Sequence, residues 1–130
     1  MAERRSTWQK AAVKDALTKA DVFISAQDLH KTLSEENQKV GLTTVYRALS
    51  ELAETGEADQ LTTADGEMRY RVCHSPQHHH HLSCRKCGKA VEVKFAATEG
   101  WAEKLASEHG FSDVTHSIEI FGICAACGEN

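Results

Sequence analysis

Apolar residues in the first half of the chain recur with a helical period. Ala12, Val13, Ala16 and Leu17 fall on one face of a helix that Ser6 or Thr7 is expected to cap. "SAQDLHKTL" predicts a second helix opened by Ser25, with Asp28 at the fourth place as in a weak capping box. A third is expected from Thr43 to Thr55, with Gly56 as its stop. The period then shortens to two. In "DQLTTADGEMRYRV" two short strands flank Asp65-Gly66, a hairpin signal. Three helices and a hairpin predict a winged helix-turn-helix.

The second half reads as strand–helix–strand. Strands are expected at His80–Ser83 and Ala90–Lys94, and a helix at Thr98–His109 stopped by Gly110. A longer alternating strand is expected over "DVTHSIEIF". The predicted fold is α+β, a winged helix-turn-helix followed by an α/β domain. Before Cys73 there is no cysteine and one histidine, His30; after it come two CxxC pairs and every other histidine. Ser75-Pro76 marks a loop. The expected division is 1–73, a hinge at 74–77, and 78–130. Halves this small seldom build a sufficient core unaided, so metal or a partner chain is expected.

In the third helix Val45, Leu49 and Leu52 share the apolar face. Thr43, Arg47 and Ser50 lie opposite, with Tyr46 and Thr44 on the flanks. Thr43, Thr44, Tyr46 and Arg47 are therefore the candidate DNA-binding residues: hydroxyls and a guanidinium reach base edges and phosphates, and a helix N-terminus favours phosphate. Arg69 and Arg71, on one side of a wing strand, are expected to touch the neighbouring backbone. Arg4 and Arg5 make a small basic arm. The plainer reading of the same face is a solvated surface on a protein-interaction module.

Cys84-x-x-Cys87 and Cys124-x-x-Cys127 are the strongest chemical signal. Each CxxC turn aims two thiolates at one point, and four thiolates complete a tetrahedron around a structural zinc. The pairs are separated by 36 residues, so a strand–helix–strand unit must fold to join them. In "QHHHHLS" alternate side chains of an extended strand face opposite ways. His78 and His80 then project to one side, His79 and His81 to the other, so the run has ligands for two sites. His79, His81, Cys73 and Asp59 together would tie the two halves. Taken singly, Cys73 fits a buried apolar position, Asp59 a surface acid, His116 a packed strand residue and Glu99 a helix-dipole partner.

A formal net charge of −4 argues against a strongly basic nucleic-acid binder, although a local basic face on a dimer suffices. No apolar stretch reaches the roughly 18 residues of a membrane span, and the N-terminus lacks a signal-peptide pattern, so a cytoplasmic protein with reduced cysteines is expected.

"GLTTVYRALSELAETG", "HHHHLSCRKCGKAVEV" and "IEIFGICAAC", in that order, resemble the recognition helix, metal-binding core and closing knuckle of the ferric uptake regulator (Fur) family. Within that family the chain is most similar to the zinc uptake regulators of actinobacteria. The resemblance implies a homodimeric, metal-responsive repressor of operator DNA with an N-terminal winged helix, a C-terminal dimerisation domain and up to three zinc ions per chain. It implies a structural site at Cys84, Cys87, Cys124 and Cys127, and a sensing site at Asp59, Cys73, His79 and His81. It also implies a third site at His78, His80, Glu99 and His116. The thiolate in the sensing set favours zinc over iron(II), the alternative metal. No enzymatic activity is expected, because a zinc hydrolase needs an open coordination position and each set already supplies four ligands.

Overall fold

The computed structural model describes residues 2–73, 78–94 and 96–128, with side chains from Trp8 onward. The hinge at 74–77, with His74, and the side chains of Arg4 and Arg5 lie outside the described residues. Three helices come first: α1 (Ala2–Ala20), α2 (Ala26–Glu35) and α3 (Leu42–Glu54). They pack with a small antiparallel sheet in which β1 (Ile24–Ser25) and β2 (Asp59–Thr62) flank β3 (Met68–Arg71). β1, only two residues long, carries no periodic signal and was not expected. Ser25 caps α2, accepting the Asp28 amide at 3.2 Å. Gly56 stops α3 at φ +79°, a left-handed conformation that glycine adopts without Cβ strain. One expectation fails: α1 begins at Ala2, so Ser6 and Thr7 lie inside the helix and not at its start.

Val13, Leu17, Leu29, Val45, Leu49 and Leu52 are wholly removed from solvent where the three helices meet. Burial of each such side chain contributes about 1.5–3 kcal/mol. This core fixes the direction of α3, whose opposite face stays in water.

The second sheet has β4 (His80–Cys84) at its centre, antiparallel to β5 (Ala90–Val93) and parallel to β6 (Glu119–Gly122). Helix α4 (Ala96–Glu108) makes the crossover, and a single turn, α5 (Ala125–Gly128), follows. The long strand expected over "DVTHSIEIF" is cut to its last residues: Asp113 turns at φ +54° and His116 leaves the extended path toward α4. This half has no apolar core among the described residues. Its buried positions are His80, His81, Ser83, Cys84 and Gly88, while α4 buries nothing and Trp101, Leu105, Phe111, Ile120 and Ile123 are exposed. No described helix is long and apolar enough to cross a membrane.

Candidate metal centres and DNA-facing helix

The parallel pairing of β4 with β6 sets Cys84 beside Gly122 and so brings the two CxxC turns together. In the first turn the Gly88 amide returns to the Cys84 carbonyl at 3.1 Å; in the second the Cys127 and Gly128 amides return to the Cys124 carbonyl at 3.1 and 2.9 Å. The four sulfurs lie within 4.8 Å of one another, and Cys87 and Cys124 are 3.8 Å apart. A tetrahedron with metal–sulfur bonds of about 2.3 Å has edges of about 3.8 Å. The Cys124 and Cys87 amides push Cys84 down to about 6, whereas hydrogen bonding with the Cys124 and Cys87 sulfurs pushes Cys127 up to about 12. Four thiolates this close ionise together only around a cation, and the set fits zinc.

The second group draws on both sheets. Asp59 stands at the start of β2, Cys73 follows β3, and His79 and His81 enter β4. The Asp59 carboxylate faces His79 Nε2 at 2.5 Å and His81 Nε2 at 3.1 Å, and Cys73 Sγ lies 3.5 Å from His81 Nε2. The hydrogen bond from His81, helped by Cys73 and His79, holds Asp59 well below the carboxylate range. Burial opposes charge on His81, yet Asp59, Cys73 and Glu119 together push it up to about 11. Burial is also the largest influence on Cys73 and pushes its thiol up. A divalent cation neutralises this mixed S, N and O set, whose make-up suits zinc.

The third group lies on the other side of the same strand. His78 and His116 Nε2 are 3.2 Å apart; Glu99, from the first turn of α4, reaches His80 Nε2 at 3.0 Å and His116 Nε2 at 2.9 Å. Side-chain alternation thus divides the histidine run even though β4 begins only at His80: the His78 and His80 rings meet at 4.7 Å, those of His79 and His81 at 4.8 Å. His80 differs from its neighbours. The Ile118 amide donates to His80 Nδ1 at 3.1 Å, so the neutral ring carries its proton on Nε2 and gives it to Glu99. A cation at Nε2 requires that proton to leave and the Ile118 amide to yield its acceptor.

Two groups beside the second set were not foreseen as part of it. Glu119 accepts from His81 Nδ1 with both oxygens, at 3.0 and 3.1 Å. Arg71 is not a backbone-touching wing residue: it is 6% exposed and turns inward to Cys73 Sγ (3.3 Å), Asp21 Oδ1 (3.2 Å) and Glu92 Oε2 (3.5 Å). Charges on both neighbouring elements, invisible in a local pattern, draw it there. Arg69 pairs with Glu67 at 2.8 Å.

At the N-terminus of α3, Thr43, Tyr46 and Arg47 are exposed and Thr44 is half-buried. The cap residue Gly41 offers no side chain to the first amides. Glu51, farther along, pairs with Lys10 of α1 at 3.4 Å.

A winged helix joined to a small α/β unit, with one group of metal-ligating side chains shared between the two sheets, defines a class of proteins. The chain belongs to the ferric uptake regulator family, whose model matches residues 2–121. It is 51% identical over 123 residues to the zinc uptake regulation protein of Mycobacterium tuberculosis, covering 95% of this chain and 94% of that one. It is similar to the crystal structure of FurB from M. tuberculosis, a zinc uptake regulator (TM-score 0.57, 51% identity, 95% of each chain). It is also similar to a zinc uptake regulator solved in complex with zinc and DNA (TM-score 0.73, 31% identity, 93% of this chain and 81% of that one).

Proposed function

We propose that the chain is a zinc-dependent transcriptional repressor that binds operator DNA as a homodimer and controls zinc-uptake genes. The observation that carries this reading is the second ligand group, in which a cysteine sulfur joins two imidazoles and a carboxylate across two sheets. The division into a winged-helix domain at 1–73, a hinge at 74–77 and a dimerisation domain at 78–130 belongs to this reading. So does a cytoplasmic location, where thiols stay reduced.

The four-cysteine group would hold a structural zinc. Asp59, Cys73, His79 and His81 would hold the sensed zinc, and His78, His80, Glu99 and His116 a third. When bound, zinc supplies the positive charge that lets Asp59 and Cys73 remain ionised side by side. The rest is done by the chain. Asp59 and Cys73 move with the winged helix, His79 and His81 with the second sheet, so bringing all four to one point fixes the orientation of α3. Two copies then present Thr43, Thr44, Tyr46 and Arg47 to successive major grooves of a roughly palindromic operator. The exposed apolar side chains of α4 and β6 supply the surface for the second copy. A coupling of about 2–3 kcal/mol between the metal and DNA sites suffices for a large change in affinity.

The test is fluorescence-anisotropy binding to a candidate operator at buffered free zinc, with an anaerobic iron(II) titration beside it. Binding that switches on with zinc and not with iron is expected. Iron-driven binding would instead make the chain an iron(II)-responsive repressor, and metal-independent binding would leave only a structural role for zinc.

A further inference from the structure

His80 and His81 are adjacent on one strand, yet their rings are held in opposite states. His80 Nδ1 accepts a backbone amide, that of Ile118, at 3.1 Å. His81 Nδ1 faces a carboxylate, that of Glu119, which only accepts. Nδ1 of His81 must therefore carry a proton, and in the neutral ring Nε2 is left as a lone pair. That lone pair points at the space between Asp59 (3.1 Å) and Cys73 (3.5 Å), where a cation of the second group would sit.

The ring is held on other sides as well. Phe23 lies edge-on to it, with centroids 4.9 Å apart and planes at 85°, and His81 is only 4% exposed. Glu119 comes from β6 and reaches the ring because the parallel register sets it directly opposite His81. It belongs to none of the three ligand groups.

We propose that Glu119 is a positioning residue of the second group: its carboxylate fixes the proton of His81 on Nδ1 and aims Nε2 at the metal. This rests on the reading that the second group takes zinc. Carboxylates that orient a metal-bound imidazole in this way typically change metal affinity by about 10–100-fold.

The experiment uses the full chain with its four-cysteine site loaded. Zinc affinity of the second group is measured by competition with a chromophoric chelator, and cobalt(II) is substituted there to read the sulfur-to-metal charge-transfer band of Cys73 and the ligand-field bands. Wild type, Glu119→Ala, Glu119→Gln and His81→Ala are compared. Glu119→Ala should weaken zinc binding by about 10–100-fold and alter the ligand-field bands, with the charge-transfer band retained. Glu119→Gln, whose amide oxygen still accepts from Nδ1–H, should recover most of the affinity. This rescue separates positioning from a bulk effect on the fold, and Gln preserves the shape of the side chain if Ala does not fold. Affinities of both variants within about twofold of wild type, while His81→Ala loses binding, would overturn the proposal and leave the zinc reading intact. Equal zinc uptake by wild type and His81→Ala would overturn the zinc reading and the proposal with it.

Discussion

The Phe23 amide donates to the Gly88 carbonyl at 2.9 Å, joining the loop after α1 to the first cysteine turn. A Cβ on Gly88 would stand 2.4 Å from the Phe23 carbonyl oxygen, and Gly88 has φ +79°. Gly88→Ala therefore meets both a left-handed backbone, costing about 1–2 kcal/mol, and a clash with main chain. The expected outcome is a lowered thermal midpoint with one structural zinc still bound. Calorimetry with metal analysis checks it; an unchanged midpoint would show that this contact adds nothing to stability.

The cysteines should separate into two phenotypes. Cys84→Ser removes a ligand from a half with no apolar core of its own among the described residues, so the second sheet and α4 should lose their structure, visible as lost ellipticity and lost zinc. Cys73→Ser or His81→Ala should leave a folded dimer whose operator affinity no longer responds to zinc. Full zinc-dependent binding by Cys73→Ser would remove Cys73 from the sensing set.

The pH response follows from Asp59 and His81. With the second group metal-free, Asp59 is held below its unfolded value of about 4, so its contribution is present above that pH and lost as pH falls further. His81 is raised to about 11 from an unfolded value of about 6.5, so its contribution is complete below 6.5 and lost as pH rises toward 11. Both act together between about pH 4 and 6.5, and His81→Ala should flatten the dependence above 6.5. Zinc must displace the His81 proton, so its affinity should rise with pH and binding should release protons. Titration calorimetry in buffers of different ionisation enthalpy counts them.

Arg71 links β3 to Glu92 of β5 and to Asp21. Arg71→Ala leaves the half-buried Glu92 beside the metal group without this cation, so the loss should exceed the roughly 0–1 kcal/mol of an exposed pair. A double-mutant cycle with Glu92→Gln should show a coupling energy well above that of an exposed pair; additive effects would mean the pair contributes no more than surface charges do.

Arg47→Ala or Tyr46→Ala should weaken operator binding by about 1–3 kcal/mol without changing metal content. Anisotropy and zinc stoichiometry on the same preparations test this. Undiminished affinity would move the DNA contact off α3 and favour a protein-interaction role for this face.

The sequence by itself determined what depends on neighbours a few positions apart. The Ser25 cap, the stop at Gly56, the apolar face of α3, the CxxC turns and the division of the four histidines are all local periodicities or turn chemistry, and they appear in the structure where the pattern puts them. Tertiary structure decided the rest. Glu119 reaches His81 only through the register of two parallel strands joined by a long crossover. Arg71 turns inward because Asp21 and Glu92, both far away in sequence, stand beside it. His116 leaves its expected strand for Glu99, and the Ile118 amide, not any sequence pattern, sets the proton of His80. A side chain's final partner is chosen by charge and hydrogen bonding among elements that meet only once the chain has folded, and no short-range period encodes that choice.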